Sequence, residues 1–190
     1  VISILNLSLG KYGGDYAIGA FGIINSIGNL TVMVVIGFNQ GMQPIVGYNY
    51  GARQIPRVLR TFKLTILAGT CVTFFGFLLA EIFPEQISSA FTNNSELIKL
   101  SVNGMRLNMM MFPIVGFQIV ASSFFQSIGK AKVSIYLSLT RQVVFLIPAL
   151  LILPHFLGLN GVWLGGPVAD LTSSLLTLFV LKWQLKKLHL

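Results

Sequence analysis

Charged residues are scarce in this chain. Only 9% of its 190 residues are Asp, Glu, Lys or Arg, whereas 54% are hydrophobic, and an ordinary soluble domain carries about 25% charged residues. The mean hydropathy is correspondingly high, at +0.80. Because a soluble core of this length could not bury so much apolar surface, the composition excludes an ordinary soluble domain and predicts a membrane protein.

Cysteine and histidine are nearly absent. Cys71 is the single cysteine and lies within an apolar segment, so the chain has neither a disulfide framework nor a cluster of thiolate ligands. We expect Cys71 to have a packing role, as free cysteines commonly do. Neither of the two histidines has a second histidine or a carboxylate at ligand spacing, so no metal site is predicted.

Catalytic motifs are missing as well. The five acidic residues are scattered, and the sequence contains no phosphate-binding glycine loop, HExxH, GxSxG or acidic metal cluster. A membrane enzyme would need several acids or histidines converging at one interface, yet Asp170 is the only acid deep within an apolar segment. The sequence therefore predicts no enzyme, no catalytic residue and no cofactor. A membrane enzyme or a non-transporting scaffold is kept as an alternative.

What the chain has instead is a series of long apolar segments. About 20 residues of helix cross the roughly 30 Å of hydrocarbon in a bilayer, and this length is reached at residues 16–47, 62–83, 97–125, 133–153 and 162–181. We therefore predict an all-α, polytopic integral membrane helical bundle. The apolar residues 1–9 are too few to cross, and we interpret them as the tail of a further span in a fragment of a longer chain.

The charges sort to opposite ends of these spans. Counting spans places the basic groups at one end and most acids at the other, with Lys11 and Lys99 as exceptions. The basic group comprises Arg53, Arg57, Arg60, Lys63, Lys130, Lys132, Arg141, Lys182, Lys186 and Lys187, and the acidic group comprises Asp15, Glu81, Glu85 and Glu96. The positive-inside rule then predicts a cytoplasmic basic end and C-terminus. The net charge of +8 is thus a topology signal, so we expect a lipid bilayer as partner and no nucleic acid.

The segment from Gly37 to Arg53 is unusual for a membrane helix because it is rich in glycine and amides and contains Pro44. Such backbone is tolerated within a bilayer only where protein or a water-filled cavity surrounds it. A transport pathway is therefore our first functional hypothesis.

Five amide side chains are candidates for lining that pathway. Asn25 and Asn29 are four residues apart and share a helix face, Gln43 lies near the end of the same span, and Asn108 and Gln118 lie in the third. Each could line a wet pathway or could hydrogen-bond to a neighbouring helix as packing glue. Both interpretations stay open at this stage.

Asp170 is the most informative single charge. It lies nine residues beyond Gly161, about 14 Å along a helix at 1.5 Å per residue, which is near the predicted bilayer midplane. A carboxylate there is costly and is expected to face the bundle interior, pair with a partner or change its protonation. We consider two roles for Asp170: a proton- or cation-linked switch, and a structural pairing for which Arg106 is the possible partner. Arg106 is therefore a second candidate for the pathway.

Four elements of the sequence together resemble one transporter family. They are Gly41 to Arg53 (GMQPIVGYNYGAR), Phe125 to Lys130 (FQSIGK), Arg141 with Pro148, and Gly161 to Asp170 (GVWLGGPVAD). In order and spacing they are similar to the second half of multidrug and toxic compound extrusion (MATE) transporters. The resemblance covers nearly the whole chain.

The resemblance implies that this chain is the C-terminal six-helix lobe of a twelve-helix antiporter. Such proteins lie in the plasma membrane and export amphiphilic, often cationic compounds by alternating access, coupled to Na⁺ or H⁺ entry. It also implies a missing N-terminal lobe as partner. Some members carry a coupling acid in the tenth helix, but residues 97–125 contain none, so we expect such acids in the other lobe. A lipid-linked saccharide flippase of the same broader superfamily, which would need a larger basic cavity, is the alternative.

Overall fold

A computed structural model describes residues 2–188 of the chain, with side chains described for residues 2–186. The described part contains helices and no strand, which confirms the prediction of an all-α bundle. The elements are α1 (Ile2–Gly51), α2 (Ile55–Ile82), α3 (Pro84–Ser89), α4 (Ser95–Met109), α5 (Phe112–Ser127), α6 (Ala131–Leu139), a π-helical segment (Thr140–Leu146), α7 (Ile147–Leu157) and α8 (Leu159–Leu188).

Helix α1 consists of two helices joined at Gly14. The φ angle of Gly14 is +65° and its ψ angle is −165°, a conformation that only glycine adopts readily. Leu9 before the break and Ala17 and Ala20 after it are all fully buried in one core cluster. The apolar residues at the start of the chain therefore pack as a separate short helix against the bundle.

Helix lengths and composition within the described residues fit a multi-pass membrane protein. Four helical stretches are long and apolar enough to cross a bilayer: Ile2–Gly51, Ile55–Ile82, Ala131–Leu157 and Leu159–Lys186. Ser95–Met109 and Phe112–Ser127 are bent by 51° relative to each other and make a fifth if they form one broken span. The limits of the five predicted spans stay predictions.

Prolines mark the starts of several helices. Pro56, Pro84 and Pro113 each occupy one of the first two positions of a helix, where the missing backbone N–H leaves no hydrogen bond unmade. Pro113 thus explains the break between α4 and α5. Pro148 follows the π-helical segment, in which the N–H of Ile147 donates to the carbonyl of Gln142, five residues earlier. The wider turn accommodates the proline without ending the span.

Two buried clusters form the core. One includes Val35 and Met42 of α1, Phe62 near the start of α2 and Phe124 near the end of α5, and the other surrounds Trp163. Many large apolar side chains on the outer surface, such as those on α2, are exposed. Apolar side chains on the outer surface suit contact with lipid. In a membrane, helices associate through close packing of small residues.

Candidate functional site

A cavity of about 510 Å³ lies between α1, α4, α5, the π-helical segment and α8. Its volume falls within the roughly 300–1,000 Å³ of typical ligand sites. The wall combines apolar side chains, among them Phe21, Met109 and Phe112, with a smaller polar set. The polar members are Asn25, Asn29, Asn108, Gln118, Ser122, Ser138, Arg141, Gln142 and Asp170.

An ion pair lies in the cavity wall. The Nε and Nη2 atoms of Arg141 are 2.7 Å and 2.6 Å from the same carboxylate oxygen of Asp170, Oδ1. The side chain of Asp170 is only 9% exposed, whereas that of Arg141 is 36% exposed. Among the described residues, the second oxygen of Asp170 has no hydrogen-bond donor. The pair is therefore neutral overall, but a free acceptor remains on its buried member.

Asp170 pairs with Arg141 and not with Arg106. The Nε of Arg106 lies 3.9 Å from Oε2 of Glu81, and Arg106 is not part of the cavity wall. The π-helical segment packs against α8, which brings Arg141 to Asp170 although 29 residues separate them. The expected partnership of Arg106 with Asp170 is therefore replaced by this contact.

Four of the five predicted amides line the cavity. Asn25 and Asn29 are exposed on α1 and line the cavity from that helix. Asn108 also donates to the carbonyl of Trp163 at 3.3 Å, and Gln118 donates to Oγ of Ser173 at 2.7 Å. Asn108 and Gln118 thus face the cavity and also bond to a neighbouring helix, while their role in a pathway stays a prediction.

Gln43 lies outside this cavity. It is exposed on α1, one position after the buried Met42 and well along the helix from Asn29. In the described part of the chain, no group of three or more His, Cys, Asp or Glu side chains is placed to hold a metal ion.

Arg141 was not among the predicted site residues, although its charge contributed to the predicted topology and its position to the family resemblance. A stronger signal was available, because a positive charge within the apolar residues 133–153 is costly unless it meets an opposite charge. Ser122, Ser138 and Gln142 were missed as well. Ser122 lies four residues after Gln118, and Ser138 and Gln142 are four residues apart, a spacing that places polar side chains on one helix face.

Comparison with known proteins agrees with this architecture. The model of the MatE family matches residues 3–151, which is most of the chain. The multidrug export protein MepA of Staphylococcus haemolyticus is 22% identical over 177 residues, which are 93% of this chain and 38% of MepA.

Solved structures show the same fold. The MATE multidrug transporter DinF-BH is 42% identical with a TM-score of 0.80, covering 92% of this chain and 39% of DinF-BH. An inward-facing and an outward-facing conformation of multidrug resistance MATE family transporters, each 20% identical, match with TM-scores of 0.90 and 0.91. They cover 98% and 99% of this chain and 43% of each structure.

This chain therefore spans about two fifths of the length of these relatives, as one lobe of such a transporter would. Its helices, its apolar surface and the extent of the family match agree with one another. The chain belongs to the MatE family of multidrug efflux transporters.

Proposed function

We propose that this chain is the C-terminal lobe of a cation-coupled antiporter that exports amphiphilic, often cationic compounds across the plasma membrane. The observation that carries the proposal is the Arg141–Asp170 ion pair in the wall of a ligand-sized cavity. Ionisable residues at membrane depth are expensive and commonly mark substrate or ion pathways.

The cavity favours amphiphilic substrates over a lipid-linked saccharide. Aromatic rings and the thioether of Met109 provide an adaptable apolar surface, which suits ligands of varied shape. Arg141 is the only basic residue among the described lining residues, and Asp170 neutralises it. The larger basic cavity that a saccharide flippase would need therefore has little support.

Asp170 is the proposed coupling residue of this lobe. A carboxylate at this depth needs a partner, and its free oxygen gives a proton or Na⁺ a place to bind beside Arg141. Binding of either cation would weaken the attraction to Arg141 and release the guanidinium toward the cavity. The ion pair would then have two arrangements, and the coupling cation would shift the balance between them.

In this proposal, the lobe moves as one rigid unit during alternating access. Transporters built from repeats often expose a central site by rocking one repeat against the other. The similar TM-scores to inward-facing and outward-facing structures support movement without internal rearrangement of the lobe. By the positive-inside rule, the end that carries Lys130 and the C-terminus would face the cytoplasm.

Asp170→Asn in the full-length transporter tests the proposal. Asparagine keeps the shape and the hydrogen-bonding capacity of the side chain but removes its titratable charge. We expect normal insertion, together with reduced ion-driven export and an altered pH or Na⁺ dependence in inside-out vesicles.

Glu85→Gln provides the matched control. Glu85 is exposed at the start of α3, away from the cavity, so neutralising it should leave export unchanged. If Asp170→Asn exports at the wild-type rate with the wild-type ion dependence, coupling through this lobe is refuted. A loss of thermal stability in detergent with unchanged export per folded molecule would assign Asp170 a structural role only.

A further inference from the structure

Two rows of polar side chains face each other between neighbouring helices. Gln118, Ser122 and Gln126 recur every four residues along α5, and Ser134, Ser138 and Gln142 recur in the same way along α6 and the π-helical segment. Side chains four apart share one helix face. These six residues form what we call the polar seam.

Hydrogen bonds hold the seam together at Ser134. The Oγ atoms of Ser122 and Ser134 are 2.9 Å apart, and Nε2 of Gln126 donates to Oγ of Ser134 at 2.9 Å. Ser134 is fully buried, whereas Gln126 is exposed at the end of the bundle that carries Lys130. One buried hydroxyl therefore connects an exposed amide to a residue of the cavity wall.

The inner part of the seam already belongs to the cavity. Gln118, Ser122, Ser138 and Gln142 all line it. From Ser122, about five further residues complete α5, a distance of about 8 Å at 1.5 Å per residue. The hydrogen-bonded contact at Ser134 lies within this short distance.

An unsatisfied acceptor offers a binding position for water in the inner seam. Gln118 is 7% exposed, and its Oε1 atom is buried without a hydrogen-bond partner. Leaving such an atom unpaired is unfavourable, and buried water commonly satisfies groups of this kind. A water molecule at Gln118 would lie in the cavity that also contains Asp170.

We propose that the polar seam is a water path from the basic end of the bundle to the Arg141–Asp170 pair, with the hydroxyl of Ser134 as its gate. Breaking the Ser134 contacts would let water continue from Gln126 to Ser122. The path gives the ion pair access to protons, and this role rests on the function proposed above.

Thiol labelling of the full-length transporter tests the path. In a Cys71→Ser background, the Ser122→Cys variant is treated with a small, membrane-impermeant methanethiosulfonate reagent from each side of the membrane. Combining it with Ser134→Gly removes the gate, and we expect labelling from the side of Lys130 to become at least tenfold faster. Ser134→Leu plugs the seam and should slow labelling from that side by a similar factor.

Asn25→Cys is the matched control because Asn25 lines the cavity from α1, outside the seam. Its labelling rate should respond far less to either Ser134 substitution, because Asn25 is exposed and the reagent reaches it through the cavity itself. Equal rates for Ser122→Cys in all three backgrounds, or parallel changes at Asn25→Cys, would overturn the path. Should Ser134→Leu fail to fold, Ser134→Gly decides alone.

Labelling does not require transport, so the two proposals fail separately. If the labelling rate depends on the residue at position 134 but the protein exports nothing, the proposed export function is refuted and the water path is retained. If the labelling rate does not depend on the residue at position 134 but export is normal, only the water path is refuted.

Discussion

At the scale of single residues, the asymmetry of the ion pair is its main property. Asp170 is almost fully buried, whereas Arg141 retains contact with the cavity. Because an unpaired charge costs more where water cannot reach it, the two residues depend on each other unequally. Leaving Asp170 unpaired should therefore cost more stability than leaving Arg141 unpaired.

A double-mutant cycle measures this dependence. We expect Arg141→Gln, which leaves the buried carboxylate unpaired, to lower the thermal stability in detergent more than Asp170→Asn does. Loss of one partner of a fully buried pair costs about 3–5 kcal/mol, and the partial exposure of Arg141 reduces the cost of Asp170→Asn below that range. The double variant should be more stable than the sum of the single effects predicts. Strictly additive effects would show that the pair contributes no coupling.

At the scale of elements, glycines set how closely helices approach. A Cβ atom built on Gly116 of α5 would lie 2.5 Å from the carbonyl oxygen of Gly69 on α2 and 2.6 Å from Oγ1 of Thr73. Such a backbone contact cannot be relieved by turning a side chain. Gly69 and Gly116 therefore hold α2 against α5, and α5 in turn carries three residues of the polar seam.

Gly116→Ala should separate these two helices. Overpacking typically costs about 1–3 kcal/mol, so we expect a clear fall in the thermal midpoint of the full-length transporter in detergent. Gly37→Ala is the control, since a Cβ there meets no atom of this lobe within 4 Å. Its stability should stay close to wild type. Equal stability of the two variants would contradict the close crossing.

At the scale of the whole molecule, the bundle has two chemically different ends. The Nζ atom of Lys130 donates to Oε1 of Gln184 at 2.5 Å, which fixes the start of α6 beside the end of α8. Glu85 lies in α3, directly after α2 reaches the other end. The chain order of the helices thus separates Glu85 from Lys186.

Single-cysteine labelling checks this arrangement in the membrane. In a Cys71→Ser background, Glu85→Cys and Lys186→Cys should react with an impermeant thiol reagent from opposite sides, with Lys186→Cys on the cytoplasmic side. Because both positions are exposed, slow access cannot explain a missing reaction. Modification of both from the same side would show that the predicted number of spans is wrong.

Some properties of this protein could be predicted without coordinates. Helices, apolar spans and the family resemblance follow from local composition and from short motifs such as Gly41 to Arg53, because hydrophobicity and helix propensity act over neighbouring residues. The break at Gly13 and Gly14 was also visible as a gap between apolar segments. The same local signals identified Asp170 and four cavity amides as candidates, since polar groups are rare in such spans.

The partner of Asp170 was decided by tertiary structure alone. Sequence spacing cannot rank Arg106 against Arg141, because the choice depends on how α8 packs against the π-helical segment and on which way that wider turn directs Arg141. The polar seam has the same origin. Its two rows are visible in the sequence, but only the antiparallel packing of α5 and α6 places Ser134 between Ser122 and Gln126, since contacts between helices depend on packing geometry and not on local propensity.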